Sequence, residues 1–146
     1  MTGISHRLQF RVYYEDTDHG GVVYYANYLK FMERGRTEYL RSTGIELDEV
    51  EKTCGVMLAV TEANVRYQSS GRFNDLLEVD SVLTHAQGAR LTFKQQVWRI
   101  HRANESRDRL LVEAEIKLAC IDKLGVPKRI PSMLLPALKI RQSSST

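Results

Sequence analysis

The stretch that decides the fold runs from Arg11 to Arg41 and reads RVYYEDTDHGGVVYYANYLKFMERGRTEYLR. The overlapping segment from Leu8 to Tyr14 alternates apolar and polar side chains, which predicts a strand. Glu15 to Gly21 is acidic and ends in two glycines, which allow the backbone to turn sharply. From about Val23 onward the pattern becomes helical. The chain is therefore predicted to pass from a strand through a tight acidic turn into a helix.

The predicted helix is amphipathic. At about 100° per residue, one half of its surface is apolar and wide enough to be largely covered by other elements. The residues on that half are Tyr28, Leu29, Phe31, Met32, Gly35, Tyr39 and Leu40. A glycine costs about 1 kcal/mol relative to alanine inside a helix, so the position of Gly35 predicts a close backbone contact. Arg36 also falls on this half, where it either pairs with a carboxylate, Glu33 being the nearest, or extends past the apolar rim.

Two carboxylates, Asp16 and Asp18, precede the predicted helix. Free backbone N–H groups and the helix dipole favour negative charge at that end. A carboxylate beside free amides can serve acyl transfer, because the amides hold a developing oxyanion. The simpler interpretation is that one carboxylate caps the helix, more readily Asp16 than Asp18. His19 is a second candidate base because it adjoins Asp18.

The segment from Asp16 to Tyr28, together with Glu33 and Arg36, resembles the hotdog-fold acyl-CoA thioesterases of the 4-hydroxybenzoyl-CoA thioesterase family. It is closest to the bacterial subgroup associated with the Tol–Pal system. The resemblance implies an α+β hotdog fold, in which a curved antiparallel sheet of about five strands wraps one long central helix. It also implies that Asp18 is catalytic and that the main-chain amide of Tyr25 polarises the thioester carbonyl.

The activity implied by the resemblance is hydrolysis of an acyl-CoA thioester to a free carboxylic acid and CoA. Asp18 would act as a general base or as a nucleophile, and the sequence leaves both open. The alternative is a module on the same fold that binds acyl-CoA or an acyl carrier protein without catalysis. An acyl carrier protein is also a further possible partner of the enzyme.

The substrate site is expected to include residues of the acidic turn and one distant arginine. The substrate-binding residues expected are Gly20, Gly21, Val22 and Arg90. Arg90 opens a later strand where related thioesterases carry basic residues for the CoA phosphates. A solvated surface charge is an equally good interpretation of Arg90. Lys128 and Arg129 are weaker candidates for the same role.

The remainder of the chain is dominated by strand patterns joined by short polar turns. Four further strands are predicted at 56–70, Leu76 to His85, Arg90 to Ile100, and Leu110 to Ile121. A run of strands after one helix indicates an α+β fold with an antiparallel sheet. Long edge strands invite pairing, and in the resembling family the acyl site lies between subunits, so we expect a homo-oligomer, either a dimer or a tetramer. A short helix is predicted near the end of the chain, and 140–146 is expected to be a frayed tail.

Length and composition set further bounds. A chain of 146 residues with 42% hydrophobic and 27% charged residues indicates one globular domain over residues 1–146. A net charge of +3 is too small to indicate nucleic acid binding. Neither a secretory signal nor a run of about 20 apolar residues is present, so we expect a cytoplasmic protein without a membrane span.

Several kinds of site are not supported by the sequence. The cysteines, Cys54 and Cys120, are far apart and predict two unpaired thiols. The four histidines are scattered and make no metal-ligand pair, and no Gly-x-Ser-x-Gly elbow of a serine hydrolase occurs. We therefore expect no metal and no cofactor other than the coenzyme A carried by the substrate.

Overall fold

The structure is a computed structural model that describes residues 5–138. The tail predicted at 140–146 lies outside these residues. Within the described part, no helix is long and apolar enough to cross a membrane. The elements in chain order are β1 (His6–Arg11), a 3-10 turn (Tyr14–Asp16), α1 (Asn27–Ser42), α2 (Leu47–Cys54), β2 (Met57–Tyr67), β3 (Leu76–Gln87), β4 (Arg90–Ile100), β5 (Arg107–Ile121) and a second 3-10 turn (Ser132–Leu134).

All five strands form one antiparallel sheet in the order β1-β3-β4-β5-β2. α1 lies across one face of this sheet and packs against β1, β3 and β4. The predicted α+β fold, with one long helix on an antiparallel sheet of five strands, is confirmed. β1 and β2 are the two edge strands.

Strand bounds differ from the predicted ones by up to three residues. The most consequential difference is at β1, which ends at Arg11 and not at Tyr14, because Tyr14 begins the 3-10 turn. The predicted alternation in β5 is confirmed from Val112 to Cys120. Leu111 breaks that alternation and is fully buried. The register moves from Val97↔Val112 to Trp98↔Leu110, so Leu111 is the extra residue of a β-bulge.

α1 begins at Asn27, so the predicted start near Val23 is wrong. Val23 is instead held in extended backbone, where it pairs with Thr17. The predicted apolar half is otherwise buried, with one exception: Leu29 is 44% exposed. The close approach predicted at Gly35 is confirmed, because a Cβ there would lie 2.6 Å from Val79 Cγ1 and 2.9 Å from Ser81 Oγ.

Arg36 is only 8% exposed. Among the described residues Glu33 forms no hydrogen bond or ion pair with it, although the charge of Glu33 favours the charged guanidinium. The Arg36 Nη1 donates to Gln95 Oε1 at 3.0 Å, and burial lowers the pKa of the guanidinium from its ordinary value. The Gln95 amide in turn donates to Met32 O and to Ser81 Oγ, both at 2.8 Å. One glutamine therefore joins the middle of α1 to the sheet, and the expected carboxylate partner of Arg36 is corrected to a neutral amide.

The Gly35 contact leads to a stability prediction. Gly35→Ala should lower the free energy of unfolding, because overpacking costs about 1–3 kcal/mol and exceeds the roughly 1 kcal/mol that alanine returns through helix propensity. Urea unfolding measures the change. The control is Arg34→Ala at an exposed position of the same helix, which should stay within about 0.5 kcal/mol of the original protein. A Gly35→Ala variant more stable than the original would contradict the close contact.

Candidate active site

Residues 16–24 fold back on themselves to form what we call the acidic hairpin. Thr17 and Val23 pair across it. The Asp18 N–H donates to Val22 O at 2.9 Å, and the Tyr24 N–H donates to Asp16 O at 3.0 Å. The Gly21 N–H closes the turn onto Asp18 O at 3.0 Å. Gly21 has a φ of +76°, a conformation that favours glycine. The structure thus brings Asp18, Gly20, Gly21 and Val22 together in one tight loop.

The Asp18 carboxylate is exposed on this hairpin. Its Oδ1 accepts a hydrogen bond from the Gly20 N–H at 3.0 Å, which fixes the orientation of the side chain. Within residues 5–138, the carboxylate has no ion pair and its Oδ2 has no hydrogen-bond partner. One oxygen of Asp18 is therefore held by the backbone while the other is available to water or to a substrate.

Neither aspartate caps α1, so the simpler alternative of a capping carboxylate is not what the structure shows. The N-cap of α1 is Ala26, which makes no side-chain cap hydrogen bond. Asp16 instead caps its own 3-10 turn, where its Oδ2 accepts from the Tyr13 N–H at 2.9 Å. The physical reason is the hairpin, which places residues 22–26 between the carboxylates and the helix.

The start of α1 offers free amide donors. The N–H groups of Asn27, Tyr28 and Leu29 donate to the carbonyls three residues earlier, at 2.9, 3.3 and 3.2 Å. By contrast, the main-chain N–H groups of Tyr25 and Ala26 donate to no group in the described part of the chain. Tyr25 thus presents an unpaired N–H at the positive end of a helix dipole. That placement agrees with the role predicted for its main-chain amide.

The Tyr25 side chain belongs to a cluster of four tyrosine rings, and one of them, Tyr67, is not predicted from the sequence. The Tyr25 and Tyr67 rings meet edge to face at 5.9 Å, and Tyr24 and Tyr28 contact the same pair at 4.9 and 5.9 Å. Tyr25 is 60% and Tyr67 45% exposed. Burial raises the pKa of Tyr67 and Tyr28, so both hydroxyls stay protonated at neutral pH. Tyr67 comes from the end of β2, and no local pattern indicated its proximity to the acidic hairpin.

The structure does not bring Arg90 to the acidic hairpin of the same chain. Val22 pairs with Arg72, just before β3 begins, whereas Arg90 pairs with Gln87 where β3 ends. The intervening strand has 12 residues, which is roughly 35 Å of extended chain. Arg90 is exposed at that far end of the sheet.

The two weaker basic candidates do lie near Arg90. The Lys128 N–H donates to Cys120 O at 2.8 Å, and the Ile130 N–H donates to Gly88 O at 2.9 Å. These bonds lay the segment containing Arg129 across the β3–β4 turn. Arg90, Lys128 and Arg129 therefore form a basic patch at the end of the sheet opposite Asp18.

His19 is exposed on the turn of the hairpin. Among residues 5–138, no group of three or more His, Cys, Asp or Glu side chains is suited to hold a metal ion. Cys54 is exposed and Cys120 is buried, and both thiols are free. The site offers the Asp18 carboxylate, the free N–H groups of Tyr25 and Ala26, and an aromatic surface. Together these groups suit attack on an activated carbonyl.

Comparisons with known proteins agree with this geometry. The family model of the thioesterase-like superfamily matches residues 12–138. The acyl-CoA thioester hydrolase YbgC of Escherichia coli O6:H1 is 36% identical over 134 residues, 91% of this chain and 95% of that protein. The crystal structure of a probable thioesterase from Bartonella henselae has 34% sequence identity and a TM-score of 0.79, and the match covers 88% of this chain and all of that one.

A more distant structure shows the fold alone. The 4-hydroxybenzoyl-CoA thioesterase from Pseudomonas sp. strain CBS-3 has 16% identity and a TM-score of 0.81 over 91% of this chain and 98% of its own. The architecture built around α1 is therefore the expected hotdog fold, and the family match spans the acidic hairpin, α1 and all of β2 to β5. The chain belongs to the thioesterase-like superfamily.

Proposed function

We propose that the protein hydrolyses an acyl-CoA thioester to a free carboxylic acid and CoA, at a site built from Asp18 and the main-chain amide of Tyr25. One observation carries this proposal. An exposed carboxylate with a free oxygen and an unpaired amide beside the helix N-terminus lie within the eight residues from Asp18 to Tyr25. Thioester hydrolysis is the activity for which the superfamily and the E. coli relative are named.

Each part of the site has a distinct chemical task. The Tyr25 N–H donates a hydrogen bond to the thioester carbonyl oxygen, and this bond strengthens as negative charge develops on that oxygen. Asp18 then acts in one of two ways. As a general base it takes a proton from water, the hydroxide attacks the carbonyl carbon, and the C–S bond breaks as the CoA thiolate takes that proton. As a nucleophile its carboxylate attacks the carbonyl carbon, the C–S bond breaks to release the CoA thiolate, and water hydrolyses the resulting mixed anhydride, which restores the carboxylate and leaves a proton for the thiolate.

The residues around this pair would hold the substrate. Gly20, Gly21 and Val22 form the loop that carries Asp18, so the thioester must lie against their backbone. The exposed Tyr25 and Tyr67 rings provide an apolar surface for the acyl group. An acyl carrier protein could present the same thioester, and the free thiols suit a reducing cytoplasm.

The nucleotide end of CoA requires a second copy of the chain. Arg90 belongs to the opposite end of the sheet from Asp18, so the two cannot meet within one copy. β2 is an edge strand of 11 residues, and it ends near the acidic hairpin, where Tyr67 contacts Tyr25. If β2 pairs antiparallel with β2 of a second copy, the partner is reversed. The partner's Arg90 then lies beside this chain's Asp18, and the basic patch completes the site.

The main prediction is that Asp18→Asn abolishes most turnover. The amide can neither attack nor accept a proton, so kcat should fall about 10²–10⁴-fold, while KM and the melting temperature stay close to those of the original protein. The assay measures thiol release from a panel of acyl-CoAs. His19→Gln and Tyr25→Phe are the controls, and both effects should be mild, because the proposed donor at Tyr25 is the main-chain amide.

Other outcomes of the same assay would change the proposal. If Asp18→Asn released thiol at the original rate while His19→Gln did not, the general base would be assigned to His19. Thioester binding without thiol release, in the original protein and on every donor including acyl carrier protein, would indicate a binding module.

A second prediction concerns Arg90. Arg90→Ala should raise KM for acyl-CoA more than it lowers kcat, and should have little effect on a short thioester without the nucleotide. Lys30→Ala, an exposed lysine on α1, is the control. Equal losses on both substrates would contradict phosphate binding by Arg90.

Mixing two defective variants tests whether the site is shared between copies. Refolding Asp18→Asn chains with Arg90→Ala chains creates mixed dimers in which one site combines an intact Asp18 with the partner's Arg90. The mixture should regain turnover at the original KM in a fraction of its sites. An active monomer at micromolar concentration in sedimentation, or no recovery on mixing, would contradict the shared site.

The proposed chemistry uses no metal, which gives a further prediction. Activity should survive extensive dialysis against EDTA, because a carboxylate and main-chain amides supply the base and the oxyanion stabilisation. Activity that disappears on dialysis and returns with added zinc would contradict this site.

A further inference from the structure

Asn27, the first residue of α1, makes a contact that its position in a helix does not require. Its Nδ2 donates to the main-chain oxygen of Asp16 at 2.9 Å, in a partly buried position. The Tyr24 N–H donates to the same oxygen at 3.0 Å. Two donors therefore converge on one carbonyl of the acidic hairpin, and one of them belongs to the helix.

This contact is not a helix cap. A capping asparagine accepts, through its side-chain oxygen, a hydrogen bond from an N–H of the first helical turn. Asn27 lies one position beyond the N-cap Ala26, and its amide nitrogen donates away from the helix. The bond therefore links the acidic hairpin to the helix and satisfies none of the free N–H groups of α1.

The anchored carbonyl lies between the two groups that the proposed reaction needs. Asp18 is two residues beyond Asp16 on one arm of the hairpin. Tyr25 directly follows Tyr24, which is bonded to Asp16 O from the other arm. A shift of Asp16 relative to α1 would therefore change the separation between the Asp18 carboxylate and the Tyr25 amide.

A second connection holds the hairpin from another direction but does not fix Asp16. The Gly71 N–H donates to Tyr28 Oη at 2.9 Å, and Gly71 O accepts from the Val23 N–H at 2.8 Å. This path attaches the returning arm of the hairpin to α1. The arm that carries Asp16 and Asp18 is joined directly to α1 by the Asn27 side chain.

We infer that Asn27 is a positioning residue for thioester hydrolysis, holding Asp18 at the correct separation from the Tyr25 amide by its bond to Asp16 O. This inference rests on the proposed function and adds a residue to it. Asn27 acts through the hairpin backbone, so its loss should affect the chemical step more than substrate binding or folding.

The test compares Asn27→Ala with Asn27→Asp. Alanine removes the bond, and we expect kcat to fall about 10–100-fold, the size of effect that a small misplacement of reacting groups produces. KM should change by about threefold or less, because binding contacts are retained. Aspartate keeps the shape but has no N–H to donate, and its charge favours the first turn of a helix. Asn27→Asp should therefore fold at least as well as the original protein and still lose turnover.

A double variant separates positioning from general damage. In the Asp18→Asn background, Asn27→Ala should lower the residual rate by a clearly smaller factor than in the original protein, because residues that act as a unit are not additive. Arg34→Ala, at an exposed position of α1, is the control and should leave kcat unchanged.

Three results would overturn the inference. They are original kcat values in both Asn27 variants, a loss in Asn27→Ala that Asn27→Asp restores, and a lower melting temperature with unchanged kcat in the folded protein. If alanine prevents folding, the aspartate variant decides the matter alone. Failure of the proposed function is distinct, because it appears as no thiol release by the original protein or as full turnover by Asp18→Asn.

Discussion

The close approach of α1 to the sheet at Gly35 determines where the other parts of the molecule lie. With no side chain at this position, the helix backbone comes within contact distance of Val79 and Ser81. Gln95 is then near enough to bond both Met32 O and Ser81 Oγ, and to receive the Arg36 guanidinium. A larger residue at position 35 would lift α1 and break this buried network. Because helices are rigid over such lengths, the same contact fixes the N-terminal end of α1, where the free amides lie.

The acidic hairpin is held against that end by bonds that leave functional groups unsatisfied. Asp18 keeps one carboxylate oxygen without a partner, and the Tyr25 N–H donates to no group of residues 5–138. Both residues are exposed, so these groups can bind water or a substrate. Neighbouring carbonyls and amides are fully used, for example Asp16 O with its two donors. This contrast is the structural reason for proposing Asp18 and the Tyr25 amide as the reactive groups.

Local sequence patterns predict features that neighbouring residues determine, such as the strands. They do not predict features that depend on residues distant in the chain, such as the start of α1 and the partner of Arg36. The alternation of side chains predicts β4 and β5 and their buried faces. It is informative because a one-residue shift of a strand would turn its buried apolar side chains towards solvent. The start of α1 was placed four residues early, because Val23 is apolar and its pairing with Thr17 depends on the hairpin. The partner of Arg36 lies 59 residues away, so the nearby Glu33 was the wrong choice. Asp18 and the Tyr25 amide are proposed from their motif, whereas the contact of Tyr67 with Tyr25 depends on the arrangement of the sheet.

The two edges of the sheet differ in length and in the character of their side chains. β1 has only six residues, and two of its exposed side chains interact with β3. Gln9 donates a hydrogen bond to Glu78, and Arg7 forms an ion pair with Asp80. Arg107 of β5 forms ion pairs with the same two carboxylates, so charged side chains of three strands interact at this side of the sheet. β2 has 11 residues and leaves Met57, Val60 and Tyr67 at least 41% exposed. A long edge with apolar side chains is stabilised by pairing, whereas a short charged edge resists it. The edge that favours a partner also ends near the acidic hairpin, which is why we propose that a second copy pairs there and completes the site.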